Sequence, residues 1–477
     1  MRAVEEEGGG LARPEARTFG EVKKGYTSFL SGDVIMAKIT PCMENGKTTV
    51  VPDVAGEVCF GSTEFHVLRP ELGVQARWLA QFLLQHDVRH VAQRKMTGGV
   101  GQMRVPAAFL DEARIPLSPA LEQIRIADMI DELLSDLDAG VGSLKHASGK
   151  LKVYRDSVLK TAIEGQLTAA WRTKHPDIGS ASELLDSILS ERRRQWEEDQ
   201  LKKFKAMGKE PARNWKDKYE KPVAPDLTDL PPIPTGWSVA SMDMLTTRIT
   251  SGSRDWQQHY GTGTGTFIMA QNVRPGFFDR SFRQVVNPPR SDSSCERSLV
   301  EIDDILVTIV GANTGDVCRI PKALAEHYVC QSVALTRPAD RQISKYLDYY
   351  FNSPSGAQLH FRRYTYGAGR PHLSFDQLKM TPVLLPPLVE QEAIVELVED
   401  QISVVDHIKS DLNAKLNTAQ SLRQAVLHHA FSGKLLPQDP DDEPAAELLR
   451  RIAVERATRT QDVSKVKQPM KRKAKAK

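Results

Sequence analysis

Apolar residues recur at every seventh position over two long stretches of this chain. In the first, Ile130, Leu137, Leu144, Leu151 and Val158 keep that interval; in the second, Val398, Val405, Leu412, Ala419 and Val426 keep it. Leu134, Val141 and Ala162, with Ile402, Leu416 and Ala430, supply much of a second seam. This is the a/d pattern of a coiled coil and predicts two long helices. Pro119 and Pro387 precede them, where a helix tolerates proline, and Gly165 and Gly433 suit C-terminal caps. Two unrelated core helices are the plainer alternative, which sustained heptads disfavour. Gly140, Gly142 and Gly149 each cost the first helix about 1 kcal/mol relative to alanine, so it needs a partner.

A second copy within the chain supplies that partner. Pro119, Glu122 and Gln123 recur as Pro387, Glu390 and Gln391, an offset of 268 residues that aligns 99–167 with 367–435 without a gap. Asp138 then matches Asp406, Leu144 matches Leu412 and Arg155 matches Arg423. Downstream, Glu183-Leu184-Leu185 resembles Glu447-Leu448-Leu449. Upstream the copies diverge, leaving Gly32-Asp33-Val34-Ile35 against Asp303-Asp304-Ile305-Leu306, and Leu68-Arg69-Pro70 against Thr336-Arg337-Pro338. The repeat is far longer than a solenoid unit. Two such copies are expected to pack about a pseudo-two-fold axis. With that axis perpendicular to the helices, they run antiparallel. Arg155 and Arg423 sit at seam positions, either as edge residues with wet guanidinium groups or as a polar pair that sets register.

Between the helices the periodicity changes to short β-branched runs punctuated by Gly, such as Val34–Thr40 and Ile305–Val310. Each such region is expected to carry a helix, around Ala76–Arg94 and Ile343–His360. The fold class is therefore α+β: two variable domains separated by two long antiparallel coiled-coil helices, in a pseudo-two-fold repeat. The expected boundaries are a variable domain (1–118), the first long helix (119–168), a helical and Pro-rich linker (169–235), a second variable domain (236–386), the second long helix (387–436), and a C-terminal helix with a basic tail (437–477).

Composition narrows the class further. With 477 residues, 40% hydrophobic and 26% charged, the chain fits a multidomain globular protein. A net charge of +3 neither demands nor excludes nucleic acid, since clustering of Lys and Arg decides phosphate binding. No apolar run reaches the roughly 18 residues of a membrane span, and the acidic, Gly-rich start is unlike a signal peptide. A cytoplasmic location is expected. Cys42, Cys59, Cys295, Cys318 and Cys330 show no C-x-x-C spacing, which argues against a zinc site or a disulfide framework.

The residues of the variable domains also carry a resemblance. Gly25-Tyr26-Thr27, Gly32-Asp33-Val34, the run Ala37–Lys47 and Gly61–Phe65 resemble the first target recognition domain of type I restriction–modification specificity subunits. Pro234-Thr235-Gly236-Trp237 and Ser251–Arg254 resemble the opening of the second, while Pro386–Gln391 and Ala430–Leu435 resemble the edges of that family's second long helix. The resemblance covers nearly the whole chain. It implies a non-catalytic subunit that reads double-stranded DNA, each domain taking one half of a split target, asymmetric because the two domains differ. About 40 helical residues span roughly 60 Å, enough to hold two readers a duplex turn of about 34–36 Å apart. It further implies docking of modification (methyltransferase) subunits and of motor–nuclease restriction subunits. S-adenosylmethionine, ATP and Mg2+ would be used on those subunits, with no cofactor or metal on this one. The offset sets Met1 against Met269, so the first domain is expected to lack the counterpart of the Gly236-Trp237 opening.

Base edges are read by Arg, Lys, Asn, Gln and acidic groups, and phosphates by Lys, Arg, Ser and Thr. In the second domain these types cluster as Ser251, Ser253, Arg254, Trp256 and Gln257; as Gln271, Asn272 and Arg274; and as Tyr364, Tyr366, Arg370 and His372. The set in the first domain is Lys38, Thr40, Glu44, Asn45, Lys47, Arg94, Lys95, Gln102 and Arg104. Each residue alone also suits an ordinary solvated surface. Lys465, Lys467, Lys471, Arg472, Lys473, Lys475 and Lys477 form either a solubilising tail or a counterion-releasing DNA contact.

Three motifs read as decoys. Asn287-Pro288-Pro289-Arg290 lacks the aromatic ring with which an amino-methyltransferase would stack a flipped base. Gly261-Thr262-Gly263-Thr264-Gly265 lacks phosphate-loop spacing and reads as a flexible turn. His86 and His90 lack a third ligand. A stand-alone or non-functional DNA-binding remnant and a DNA methyltransferase are the alternative functions.

Overall fold

The computed structural model describes residues 1–12, 15–53, 58–99, 101–365 and 371–466. They form two compact units: Met1–His146 with Asp411–Lys477, and Ala147–Ser410. Two 44-residue helices, Ala120–Ile163 and Leu388–Phe431, each contribute to both. They begin directly after Pro119 and Pro387. Both are followed by a left-handed glycine, Gly165 at φ 71° and Gly433 at φ 69°, the conformation that closes a helix without a Cβ penalty.

In the first unit, β1 (Tyr26–Phe29) pairs with β4 (Cys59–Ser62), and β3 (Thr48–Val50), β2 (Val34–Ala37) and β5 (Phe65–Leu68) form an antiparallel sheet in that order. Val34 and Met36 face a core with Leu79, Phe82 and Leu83 from the helix Ala76–Leu83. The long-helix segments meet here through Ile126 and Ile130 against Leu427 and Ala430, and Arg423 pairs with Asp138. Numbers rise along one segment as they fall along the other, so the two are antiparallel.

The second unit holds β6 (Ser238–Ser241), β7 (Thr246–Ser251), β8 (Tyr260–Ile268), the short strands β9 (Val273–Arg274) and β10 (Phe277–Phe278), β11 (Gln284–Val286), β12 (Ile305–Thr308), β13 (Val317–Arg319), β14 (His327–Val329), β15 (Val333–Pro338) and β16 (Pro382–Leu385). Its main sheet runs β13-β12-β15-β7, a second runs β11-β8-β14, and β6 pairs with β16. The core around Tyr346, Tyr350, Phe351 and Phe361 takes in Val158, Ala162 and Ile163 of one long helix and Ile394, Val398 and Ile402 of the other. Arg155 reaches Asp406 at 3.3 Å, again across antiparallel segments.

Along the helices Ile130, Val158, Val398, Val405 and Ala419 are buried, while Leu137, Leu144, Leu151, Leu412 and Val426 are half-buried. A seam between two helices leaves its rim open to water.

Three details depart from the sequence reading. The helix expected over Ala76–Arg94 is two, Ala76–Leu83 and His86–Arg94, because Gln85 is extended at ψ 136°. The one expected over Ile343–His360 also divides, into Ser344–Asn352 and Ala357–Thr365, around Ser353-Pro354, where proline offers no N–H. The run Gly261–Gly265 is no flexible turn but part of β8. A Cβ on Gly263 would stand 2.5 Å from the Asn287 Cα, so glycine there lets the β11 segment approach.

Candidate nucleic-acid interface

Each main sheet presents its loops at one end, because antiparallel strands bring alternate strand ends together. In the first unit, β2 ends at Ala37 where β5 and β3 begin, so the loop 38–47 and the turn 62–64 share this edge. Residues 97–105 join them: Thr40 N donates to Met103 O at 3.0 Å, Val105 N to Lys38 O at 2.8 Å, and Arg104 bridges Ile39 and Thr97. The structure thus brings together Lys38, Thr40, Glu44, Gln102 and Arg104.

These side chains differ in how free they are. The Thr40 hydroxyl donates to Glu44 at 2.9 Å, and Arg104 grips Glu64 at 2.9 and 2.8 Å. That fork holds the Glu64 carboxyl below the usual carboxylate range. Asn45 is turned to Glu6 at 2.8 Å and Lys47 to the Val4 carbonyl at 3.0 Å, so both brace the N-terminal segment. Arg94, Lys95 and Gln102 are exposed.

In the second unit the corresponding end of β12, β15 and β7 carries the segments 309–316, 330–332 and 252–255. Gly252 N donates to Cys330 O at 3.2 Å, and Cys330 N donates to Ile268 O at 2.9 Å, so the loop after Ser251 and the turn holding Gln271 flank one segment. His372 bridges Val310, and Thr314 donates to the Pro371 carbonyl at 3.1 Å. Ser251 and Ser253 are half-buried, Arg254, Gln257, Gln271 and His372 are exposed, and Tyr364 is half-buried in its helix. Arg274 stands 4.0 Å from Asp316, whose pKa burial raises. Tyr366 and Arg370 lie outside the described residues, as does the tail from 467 onward.

Two candidates do not belong to this surface. Trp256 is 1% exposed, stacked on Phe267 with centroids 5.4 Å apart, and its indole donates to Ser294 at 3.0 Å. Asn272 is buried, and its amide ties Met269 N, Asp279 O and Phe282 O at 2.8–2.9 Å. Both hold the turn in shape.

Sequence reasoning also missed a segment. The turn Ala312–Gly315, with Asn313 and Thr314, occupies on its sheet the place that Thr40–Gly46 occupies on the other. The signal was available: Asp33-Val34 matches Asp304-Ile305, and carrying that register a few residues on reaches both turns.

Among the described residues no cluster of His, Cys, Asp or Glu could hold a metal ion. His86 and His90 stack on an exposed helix face with centroids 5.9 Å apart. Arg290 of the Asn-Pro-Pro run pairs with Glu326.

Residues 293–418 match the model of the type I restriction modification DNA specificity domain. Over 472 residues the chain is 25% identical to the type I restriction enzyme EcoEI specificity subunit of Escherichia coli, covering 88% of this chain and 75% of the relative. The chain is thus similar to type I specificity subunits. It is also 24% identical to the EcoAI specificity subunit of Escherichia coli, with the same coverage. A solved structure described as the basis of complex assembly and conformational transition of the type I R-M system superposes with a TM-score of 0.58 at 18% identity, over 91% of this chain and 90% of that one. The shared fold is α+β with long helices. The matched stretch 293–418 runs from before β12 into the second long helix, so it takes in β12, β13 and β15 of the main sheet, the 309–316 turn and most of that helix, but not β7.

Proposed function

We propose that this chain is the DNA-reading specificity subunit of a type I restriction–modification complex and carries no catalytic centre. The observation that carries the reading is the loop-bearing edge found on both main sheets, within a chain similar to specificity subunits along most of its length. Residues 1–118 and 236–386 are the two target recognition domains of this reading. Arg94, Lys95 and Gln102 on one and Arg254, Gln257, Gln271 and His372 on the other are its exposed contacts to DNA.

The offset of 268 in Asp138–Arg423 and Arg155–Asp406 supports an internal duplication: each pair contains the counterpart of the other pair's residues. On this reading the long helices set the gap between half-sites. Each is about 66 Å long at 1.5 Å per residue. Val153, Val404 and Leu422 are 69%, 58% and 52% exposed on these helices. Apolar residues of this kind suit docking to modification subunits, with restriction subunits joining the same complex. S-adenosylmethionine, ATP and Mg2+ would act on those partners. No described helix is long and apolar enough to cross a membrane, which is compatible with work in the cytoplasm.

The test is reconstitution with a type I modification subunit. Site-specific DNA methylation should require both chains, and exchanging the segment 236–386 for that of another specificity subunit should change the sequence methylated. Methylation by this chain alone, or a target that ignores the exchange, would overturn the proposal.

A further inference from the structure

In the second unit β15 is an inner strand. Its outer side pairs with β7, from Ala334↔Ser251 to Arg337↔Arg248, and β6 pairs with β16 from Pro382↔Ser241 to Leu385↔Ser238. Residues 236–251 thereby cover one flank of the domain.

The first unit is built on the same frame. β5 pairs with β2 as β15 does with β12, Val34↔Leu68 standing for Ile305↔Thr336. Arg69 forks onto Asp33 at 2.7 Å through two nitrogens, as Arg337 does onto Asp304 at 2.8 Å. Yet among the described residues no strand pairs with the outer side of β5. Likewise 114–117, the counterpart of β16 at the 268 offset, joins no sheet. Ile115 is 36% exposed where its counterpart Val383 is 0%. The Arg69 side chain is 61% exposed where that of Arg337 is 15%. The two carboxyls register the difference: the Arg69 fork lowers the pKa of Asp33, while burial raises that of Asp304.

The open flank is a groove of about 690 Å³ lined by His66, Leu68, Trp78, Ile115, Leu117 and Ile452. One buried polar group lining this groove has no partner. The Trp78 indole nitrogen makes no hydrogen bond although the residue is 2% exposed. Glu122, 3% exposed, faces the Arg125 charge, while burial and the nearby Asp442 push its pKa up. Its counterpart Glu390 accepts from Trp237, Thr168 and Arg172. An unpaired strand edge is a template for pairing, and buried polar groups ordinarily find partners.

We propose that this groove is a strand-acceptor site for an extended polypeptide with the chemistry of residues 236–251: two short strands around one helical turn, led by an indole. One strand would add to the outer edge of β5, the other would lie along 114–117 with small apolar side chains over Ile115 and Leu117, and the indole N–H would reach Glu122. Main-chain hydrogen bonds along the edge would give affinity, and the Glu122 contact specificity.

The probe is a synthetic peptide of residues 234–252 of this chain, titrated into the full-length protein without DNA, so the outcome is independent of any recognition role. Saturable binding is expected, with slowed amide exchange at Phe65–Leu68. Ile115→Asp, at an exposed position, and Glu122→Gln should each weaken binding about tenfold, equivalent to about 1.4 kcal/mol. Equal binding of a scrambled peptide, unchanged exchange at β5, or no saturable binding would overturn the proposal.

Discussion

The Trp237 indole nitrogen donates to Glu390 Oε2 at 2.9 Å, closing a cluster in which Oε1 accepts the Thr168 hydroxyl and the Arg172 guanidinium, each at 2.7 Å. The carboxylate is 0% exposed. One anion thus ties the start of the second long helix to the turn after the first and to the entry of β6. Trp237→Phe removes one donor to a buried charge and is expected to cost about 1.5–3 kcal/mol. Glu390→Ala leaves Arg172 without its anion and is expected to cost about 3–5 kcal/mol. Urea denaturation followed by circular dichroism would measure both. A Glu390→Ala protein as stable as its parent would show that the cluster does not hold the unit.

The ion pairs across the long helices should behave differently. In Arg155–Asp406 the side chains are 30% and 57% exposed, and in Arg423–Asp138 they are 14% and 54% exposed. Water screens pairs of this kind. A double-mutant cycle on Arg155→Ala and Asp406→Ala is expected to give a coupling of about 0.2–1 kcal/mol, shrinking in high salt. A coupling above about 2 kcal/mol would instead assign the pair a principal part in helix register.

The contrast between these interactions parallels what could be read in advance. Heptads such as Ile130 to Val158 are local and periodic, so the two long helices were legible without knowing what surrounds them. The Glu390 cluster was not. It joins residues as far apart as Thr168 and Glu390, and nothing in a single glutamate says that an indole will reach it. Trp256 and Asn272 failed for a related reason: an aromatic and an amide among Ser, Arg and Gln suit a DNA-facing loop or a buried turn equally well, and only burial separates them. Gly261–Gly265 misled because glycine serves close strand approach as well as turns. The turn 312–315 was overlooked although the Asp304-Ile305 match leads to it, because its own sequence, Ala-Asn-Thr-Gly, carries no basic residue.

Burial therefore divides the candidates into two experimental classes. Arg254→Ala touches an exposed side chain and should leave stability within about 0.5 kcal/mol. In the assembled complex it should weaken DNA binding. If Arg254 meets a phosphate, the salt dependence falls by about one ion; if it meets a base, discrimination at one position relaxes by about 1–3 kcal/mol. Trp256→Ala should do the reverse, costing about 3–5 kcal/mol of stability and affecting DNA binding only through the fraction unfolded. Binding titrations over a range of salt, paired with denaturation curves, distinguish the two. Loss of DNA affinity by a fully folded Trp256→Ala protein would return Trp256 to the interface.

Asp348 is expected to make the stability of the second unit depend on pH. It lines a cleft of about 560 Å³ together with Arg155, Arg280, Arg319, Lys322 and Asp406. Burial pushes its pKa up to about 6, against the opposing pull of Arg319, the Arg319 backbone, Arg155 and Asn352. Because the folded value lies above the unfolded one, the folded state prefers the protonated acid. The contribution to stability is fully present below the unfolded pKa of about 3.9 and is lost as pH rises through about 6. Above that, the ionised group costs the native state about 2–3 kcal/mol. Asp348→Asn keeps the shape and removes the titration. It is expected to raise stability by up to that amount at pH 8, with the gain shrinking as pH falls toward 4. Urea midpoints of parent and variant across this range check the sign: a gain that grows toward acid would mean that Arg319 and Arg155 outweigh burial and that Asp348 is held as a carboxylate.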